Sequence, residues 1–127
     1  MIILSDTSIW IEFLKAHDPI FSSMRPLLER GSIVGLSCVF GELLQGARNH
    51  HERQIILNYW NQIPKCDETN IFIQSGCMSS ELHLPSRGVG LIDAAIITYA
   101  RENHLKIWSL DKKLLALLKS TEIFQSV

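Results

Sequence analysis

The stretch Ile2-Ile3-Leu4-Ser5-Asp6 decides the fold, because in it an apolar run leads directly to an acid and then into a helical pattern. Such a short uncharged run predicts a buried β-strand. The stretch Ile107-Trp108-Ser109-Leu110-Asp111 repeats this arrangement near the other end of the chain. Short apolar strands separated by helices indicate a parallel sheet that is covered on both faces.

Working outward from these two stretches, strands and helices alternate along the chain. We predict helices over 8–15, 19–30, 39–48, 51–63, 70–84, from the loop 86–90 to 103, and over 111–119. Further strands are predicted over 32–37, 106–110 and 122–125. The predicted fold class is therefore α/β, with a short central parallel sheet flanked by helices.

Composition limits the kind of protein. With 127 residues, of which 46% are hydrophobic, the chain is large enough for one domain, 1–127, with its own core. Its 12 basic and 13 acidic residues leave a net charge of −1. That balance argues against a protein held on nucleic acid by bulk charge, for which a pI above about 9 is usual.

The cysteines and the hydropathy pattern indicate the compartment. Cys38, Cys66 and Cys77 are odd in number and far apart, which favours neither a disulfide framework nor a zinc site. We therefore expect a cytoplasmic protein in a reducing environment. The apolar run at the start is too short for a signal peptide, and no run of about 18 uncharged apolar residues predicts a membrane span.

Four carboxylates end or interrupt apolar stretches, and they are the candidate functional residues: Asp6, Glu42, Asp93 and Asp111. Carboxylates are almost never fully buried unless they are paired or bind a metal. No Lys or Arg lies within these four stretches to pair with them. A divalent cation is therefore the natural counter-charge.

Each acid taken alone has a simpler explanation. Asp6 and Asp111 stand where helices begin, and Asp is a favoured N-cap residue. Asp93 falls in the first turn of its helix, where a carboxylate gains from the helix dipole. Glu42 lies in the middle of its helix on an apolar stripe, so capping does not explain it.

The four acids together are harder to explain by capping. Asp6 and Asp111 both follow the carboxyl ends of predicted strands, where open α/β sheets bind ligands. If these strands are neighbours, the helices that carry Glu42 and Asp93 can close the site. Gathered carboxylates raise one another's pKa, and Mg²⁺ or Mn²⁺ relieves that repulsion. The chemistry that such a site suits is attack of water on a phosphodiester.

Four blocks of the sequence resemble, in order, those of the PIN-domain ribonucleases, and most closely those of the VapC toxins of bacterial toxin–antitoxin pairs. The blocks are Asp6-Thr7-Ser8-Ile9-Trp10-Ile11-Glu12, Gly41-Glu42-Leu43-Leu44-Gln45-Gly46-Ala47-Arg48, Gly90-Leu91-Ile92-Asp93-Ala94-Ala95-Ile96 and Trp108-Ser109-Leu110-Asp111. Together they span nearly the whole chain. The resemblance implies a three-layer PIN-like fold.

The same resemblance implies roles for particular residues. Asp6, Glu42, Asp93 and Asp111 would be the catalytic metal ligands, directly or through water. Ser109, where family members more often carry Thr, would support the site with its hydroxyl. Two further hydroxyls in the first block are candidates for the same role, those of Thr7 and Ser8.

One position departs from the family pattern. Many members carry a further acid two residues after the last, and here that residue is Lys113. The sequence therefore leaves open whether one or two metal ions bind. Lys113 also flanks the expected site together with Arg87 and Lys112, and these three cations are candidates for holding RNA phosphates.

From the residues and the resemblance we predict a Mg²⁺- or Mn²⁺-dependent endoribonuclease that acts as a toxin. The family implies an RNA substrate such as a tRNA, a VapB-type antitoxin and a homodimer. A non-catalytic PIN-like module that binds RNA or protein is the first alternative. A different acid-cluster phosphatase or DNA nuclease is the second.

The predicted helix 8–15 is apolar on nearly every side and must be covered on both sides. Either it is sandwiched inside its own domain, or a groove around Trp10 and Phe13 receives an antitoxin segment. Both interpretations stay open from the sequence.

Overall fold

The computed structural model describes residues 1–126, and its centre is a three-stranded parallel sheet. The strands are β1 (Ile3–Ser5), β2 (Ile33–Val34) and β3 (Lys106–Trp108), in the order β2-β1-β3. In the register, Ser5 of β1 lies opposite Trp108 of β3. The predicted parallel sheet is confirmed, and β1 and β3 are neighbours at the point where the strand order reverses.

Helices flank the sheet, as the predicted α/β class requires. They are α1 (Thr7–Leu14), α2 (Ile20–Glu29), α3 (Ser37–Gln45), α4 (His50–Gln62), α5 (Ile71–Glu81), α6 (Leu91–Asn103) and α7 (Lys112–Leu115). Helix α1 packs on α2 and α3, α5 packs along α6, and α6 also contacts β3. Within residues 1–126, no helix is long and apolar enough to cross a lipid bilayer.

The core explains why α1 is apolar all round. Trp10 is completely buried, and Phe13 is only 3% exposed. The Trp10 ring meets those of Phe13, Phe40 and Tyr59 at centroid distances of 5.0 to 5.9 Å. The hypothesis of an antitoxin groove around Trp10 and Phe13 is therefore wrong, because neighbouring helices of the same chain already cover both side chains.

The C-terminal prediction was also partly wrong. The expected helix over 111–119 is only α7, after which the backbone continues in turns. The expected strand over 122–125 is replaced by a 3-10 turn, Ser120–Glu122, and one parallel bridge between Ile107 and Ile123. A carboxylate oxygen of Glu122 accepts from the backbone N of Lys119 at 2.8 Å, which holds the chain in the turn instead of along β3.

The elements around β2 have shifted bounds. The expected strand over 32–37 is limited to β2, because Gly35 bridges to Lys65 in the loop after α4 instead of to a strand. The following helix, expected over 39–48, begins earlier and ends at Gln45. Only Ile33 and Val34 of the expected strand 32–37 lie in the sheet, and its last residue, Ser37, already belongs to α3.

Candidate active site

Asp6 lies at the carboxyl end of β1 and is the N-cap of α1. Its backbone N donates to the carbonyl of Trp108 at 3.0 Å, which fixes the ends of β1 and β3 side by side. Its carboxylate accepts from the backbone N of Ile9 at 3.2 Å, from Ser8 Oγ at 2.5 Å and from Ser109 Oγ. Burial raises the pKa of Asp6, and these hydrogen bonds only partly oppose that rise.

Two serine hydroxyls connect the start of α1 to the loop after β3. Ser8 Oγ accepts from the backbone N of Leu110 at 3.0 Å while donating to Asp6. Ser109 Oγ accepts from the backbone N of Asp111 at 2.9 Å and likewise donates to Asp6. Because each hydroxyl both donates and accepts, the loop that carries Asp111 is fixed relative to Asp6.

Asp111 is the N-cap of α7, as the capping interpretation predicted. Its Oδ1 accepts from the backbone N atoms of Lys113 at 2.9 Å and Leu114 at 3.4 Å. Both bonds use the same oxygen. Within residues 1–126, Oδ2 of Asp111 accepts no hydrogen bond, so capping leaves one oxygen of this carboxylate available to a ligand.

Glu42 differs from the expectation that it faces the core. It is exposed on α3, beside the buried residue Leu43. Thr7 Oγ1 donates to Glu42 Oε1 at 2.6 Å, so the first residue of α1 turns this carboxylate toward the neighbouring helix. The hydroxyl of Thr7, predicted to support the site, therefore contacts one of the four acids.

Asp93 lies half-buried in the first turn of α6. Its pKa is raised to about 6, first by burial and then by the negative charges of Asp111, Asp6 and Glu42. The negative charges of the other three predicted acids therefore all act on Asp93. No side-chain hydrogen bond or salt bridge from the rest of residues 1–126 reaches Asp93.

No cation of residues 1–126 forms a salt bridge with these four acids. The salt bridges in the described part of the chain are Glu12–His17, Arg48–Glu52 and Arg101–Glu122, and each lies outside the acid cluster. Buried or half-buried carboxylates without a counter-charge are costly. The cluster is thus a centre of uncompensated negative charge.

The donor set fits a hard divalent cation. Within residues 1–126, no three carboxylate, imidazole or thiol groups already converge closely enough to enclose a metal ion. Mg²⁺, however, is usually held by one or two carboxylates and keeps several waters. Carboxylate and hydroxyl oxygens, with a cluster charge that needs neutralising, are the chemistry that Mg²⁺ and Mn²⁺ select.

The three predicted cations are arranged differently from one another. Arg87 and Lys112 are exposed, the first at the end of the 3-10 turn Leu84–Arg87 and the second at the start of α7. Lys113 is also exposed, and its side chain lies along Gly88, with Nζ 3.0 Å from the position that a Cβ would occupy there. This contact was missed from the sequence, where the absence of a side chain at position 88 was the only signal.

The model of the PIN domain family matches residues 3–117, a segment that contains all four acids. The chain therefore belongs to the PIN-domain family, and the resemblance in its sequence is confirmed. Its structure is similar to the crystal structure of VapBC2 from Rickettsia felis bound to a DNA fragment from their promoter. The TM-score is 0.75, the match covers 98% of both chains, and the sequence identity is 19%. At this identity the similarity shows a shared fold. No curated protein matches the sequence.

Proposed function

We propose that this PIN-domain protein is a Mg²⁺- or Mn²⁺-dependent endoribonuclease and the VapC-type toxin of a toxin–antitoxin pair. The observation that supports this most is the half-buried Asp93, whose pKa is raised to about 6, first by burial and then by the negative charges of Asp111, Asp6 and Glu42. A protein surface with no ligand to bind gains nothing from such repulsion. A metal ion bound for nuclease chemistry would relieve the repulsion between these carboxylates.

In this proposal the four acids hold the cation, directly or through water. A bound Mg²⁺ or Mn²⁺ supplies a water of lowered pKa and neutralises charge on the phosphate. Ser8 and Ser109 hold the Asp6 carboxylate by their hydrogen bonds. Attack of water in line with the phosphorus–O3′ bond breaks that bond, and the products carry a 5′-phosphate and a 3′-hydroxyl.

The expected substrate is a short unpaired stretch in a structured RNA, such as the loop of a tRNA. The net charge of −1 cannot provide tight sequence-independent binding to long duplexes. Binding then depends on the cation and on local contacts, for which Arg87, Lys112 and Lys113 are the candidates. Unpaired bases that can be splayed out are also the usual target of sequence-specific RNA recognition.

The proposed partners are a VapB-type antitoxin and a second copy of the chain. The antitoxin is supported by the structural relative from Rickettsia felis, which is described as a VapBC2 complex. The homodimer rests on the family resemblance. Co-expression with the product of a neighbouring small gene, followed by light scattering of the purified protein alone and in complex, tests both.

One observation favours the alternative of a non-catalytic binding module. The acids of residues 1–126 do not enclose a preformed metal site. A module of this kind would bind RNA or protein and leave RNA intact at every metal concentration. The second alternative, a phosphatase or DNA nuclease, would cleave a phosphomonoester or duplex DNA in preference to RNA.

The deciding experiment incubates the purified protein with a labelled RNA pool in Mg²⁺ or Mn²⁺ and then in EDTA. We expect cleavage at one or a few positions, loss of cleavage in EDTA, and no cutting of duplex DNA. For a variant that removes the charge of one of the four acids, the matched control is Asp67→Asn, which removes the charge of an exposed acid outside the cluster. Sequencing of 5′ ends after induction in cells identifies the target, and uniform degradation of all transcripts would contradict the proposed substrate.

A further inference from the structure

A groove of about 620 Å³ lies between α5 and the segment 85–91 that leads into α6. Small residues of α5 form one wall, and the segment 88–91 forms the other. The lining residues that matter here are Gly76, Ser79, Ser80, Val89, Gly90 and Leu91. Its volume is within the range of pockets that accept small organic ligands, so it has room for a nucleotide base.

The chemistry of the groove is unlike that of the acid cluster. Glycines and serine hydroxyls let a flat ring approach the backbone closely, and the side chains of Val89 and Leu91 offer apolar surface. No carboxylate lines this groove within residues 1–126. It therefore does not repel a nucleic acid strand as the cluster does.

One lysine joins the groove to the acid cluster. The backbone N of Lys113 donates to Asp111, and its side chain lies along Gly88, which also lines the groove. Gly88 has a φ of +75°, and a Cβ there would come within 3.0 Å of Lys113 Nζ and 3.3 Å of its Cδ. The ammonium has no salt-bridge partner among residues 1–126. A free positive charge thus stands at the boundary between a negative cluster and an uncharged groove.

We propose that the groove binds the unpaired RNA strand beside the scissile phosphate, and that Lys113 holds a phosphate of that strand at the mouth of the groove. Single strands are held by positive charge along the backbone and by contacts of side chains with the unpaired bases; Lys113 offers the first, and the apolar side chains of Val89 and Leu91 offer the second. A duplex cannot present its bases to a concave surface of this kind. The proposal rests on the proposed ribonuclease function and specifies the substrate path of that same site.

Two variants test the proposal, each with a matched control. Ser80→Trp fills the groove from an exposed position on α5, and Glu81→Trp introduces the same ring one residue away, outside the groove. Lys113→Ala removes the proposed phosphate contact, and Lys15→Ala removes an exposed lysine at the end of α1. Binding of a short labelled unpaired RNA is measured by anisotropy in Ca²⁺. Mn²⁺ affinity is measured separately by calorimetry.

We expect Ser80→Trp and Lys113→Ala to weaken RNA binding about tenfold, while both controls stay within about twofold, since one lost contact of about 1.4 kcal/mol changes an equilibrium tenfold. Lys113→Ala should also reduce the slope of log affinity against log salt by about 0.7, the value for one phosphate on a single strand. Mn²⁺ affinity should be unchanged in Ser80→Trp and in both controls, and it should not fall in Lys113→Ala, because removing a positive charge beside the acids does not weaken cation binding.

Several outcomes overturn the proposal. Unchanged RNA affinity in Ser80→Trp, while the wild-type protein still cleaves RNA, would rule out RNA binding in the groove. The proposed ribonuclease function would stand. A change in oligomeric state of Ser80→Trp by light scattering, with RNA binding retained, would mean that a second copy of the chain occupies the groove. Absence of RNA binding and cleavage in the wild-type protein would contradict both the proposed ribonuclease function and the proposed RNA binding in the groove.

Discussion

The hydroxyl of Thr7 donates a hydrogen bond of 2.6 Å to Oε1 of Glu42, and so joins the first turn of α1 to the middle of α3. Asp6, the preceding residue, accepts hydrogen bonds from Ser8 and Ser109. The start of α1 therefore orients two of the four acids at once. Because Glu42 is exposed, its position depends on this one hydroxyl more than on packing.

Thr7→Val tests that dependence, because valine keeps the shape of threonine and removes only the donor. We expect cleavage to fall by about tenfold, at the lower end of what lost partners of metal-binding residues cost. The free energy of unfolding should change by no more than about 1 kcal/mol, since the bond is solvent-accessible. Thr121→Val, an exposed threonine outside the site, is the control, and equal activity of both variants would contradict the role of Thr7.

In our proposal Ser109 positions Asp6 and Asp111 through its hydrogen bonds. Ser109→Ala removes both hydroxyl bonds, and we expect cleavage and Mn²⁺ affinity to fall by roughly 10- to 100-fold. Ser109→Thr restores the hydroxyl, so it should recover most of both quantities. A purely structural role would instead lower the melting temperature in Ser109→Ala without changing Mn²⁺ affinity, which calorimetry on the folded variant distinguishes.

Asp93→Asn keeps the shape of the side chain and removes its charge. Since the four acids act as one unit in our proposal, we expect Mn²⁺ binding and cleavage to be lost together. The metal-free variant should be as stable as the wild type or slightly more stable, because carboxylate repulsion is relieved. Wild-type Mn²⁺ affinity of the variant in calorimetry would rule out the acid cluster as the metal site.

The pH dependence of the metal-free protein gives an independent test of Asp93. Burial and the neighbouring acids raise its pKa in the folded state from 3.8 to about 6, so folding favours the protonated form. The stability that this group contributes is present below about pH 4 and is lost as the pH rises through about 6. The stability difference between Asp93→Asn and wild type should therefore grow from pH 4 to 6 and then level off. Urea titrations across this range in EDTA measure it, and a difference independent of pH would contradict the raised pKa.

Two glycines that look alike in the sequence should respond oppositely to alanine. A Cβ at Gly35 would lie 2.6 Å from Cδ1 of Ile63 and 2.9 Å from the ring of Trp60, so Gly35→Ala should destabilise the fold by about 1–3 kcal/mol. At Gly41, inside α3, a Cβ meets nothing within 4 Å. Gly41→Ala should stabilise the fold by up to about 1 kcal/mol through helix propensity. Thermal unfolding of the two variants, measured side by side, checks both signs.

Much of the site could be predicted from local sequence patterns. The apolar run ending at Asp6, and the matching run ending at Asp111, predicted two parallel strands with acids at their carboxyl ends. The structure confirmed that the strands are neighbours. Burial periodicity and N-cap chemistry act over a few residues, so they are readable without knowledge of the fold.

Other features of the site depend on contacts between distant parts of the chain. Ser109 and Asp6 are 103 positions apart, and Thr7 and Glu42 are 35 positions apart. Local periodicity placed Glu42 on an apolar stripe of its helix, yet its side chain is exposed. A stripe on one helix does not show which neighbouring element covers each of its residues. Lys113 was already a candidate for holding phosphate from the sequence, but its contact with Gly88 depends on the fold.

The sequence by itself thus determined the α/β alternation and the family and predicted the four acids as the candidate site, because apolar periodicity, capping and ordered motifs are properties of short segments. Only the tertiary structure decided that Trp10 is covered by its own domain, that the charges of the other three acids act on Asp93 and that Lys113 borders a groove. The free energies of burial and of charge interaction depend on distances between segments, and packing of the whole chain sets those distances.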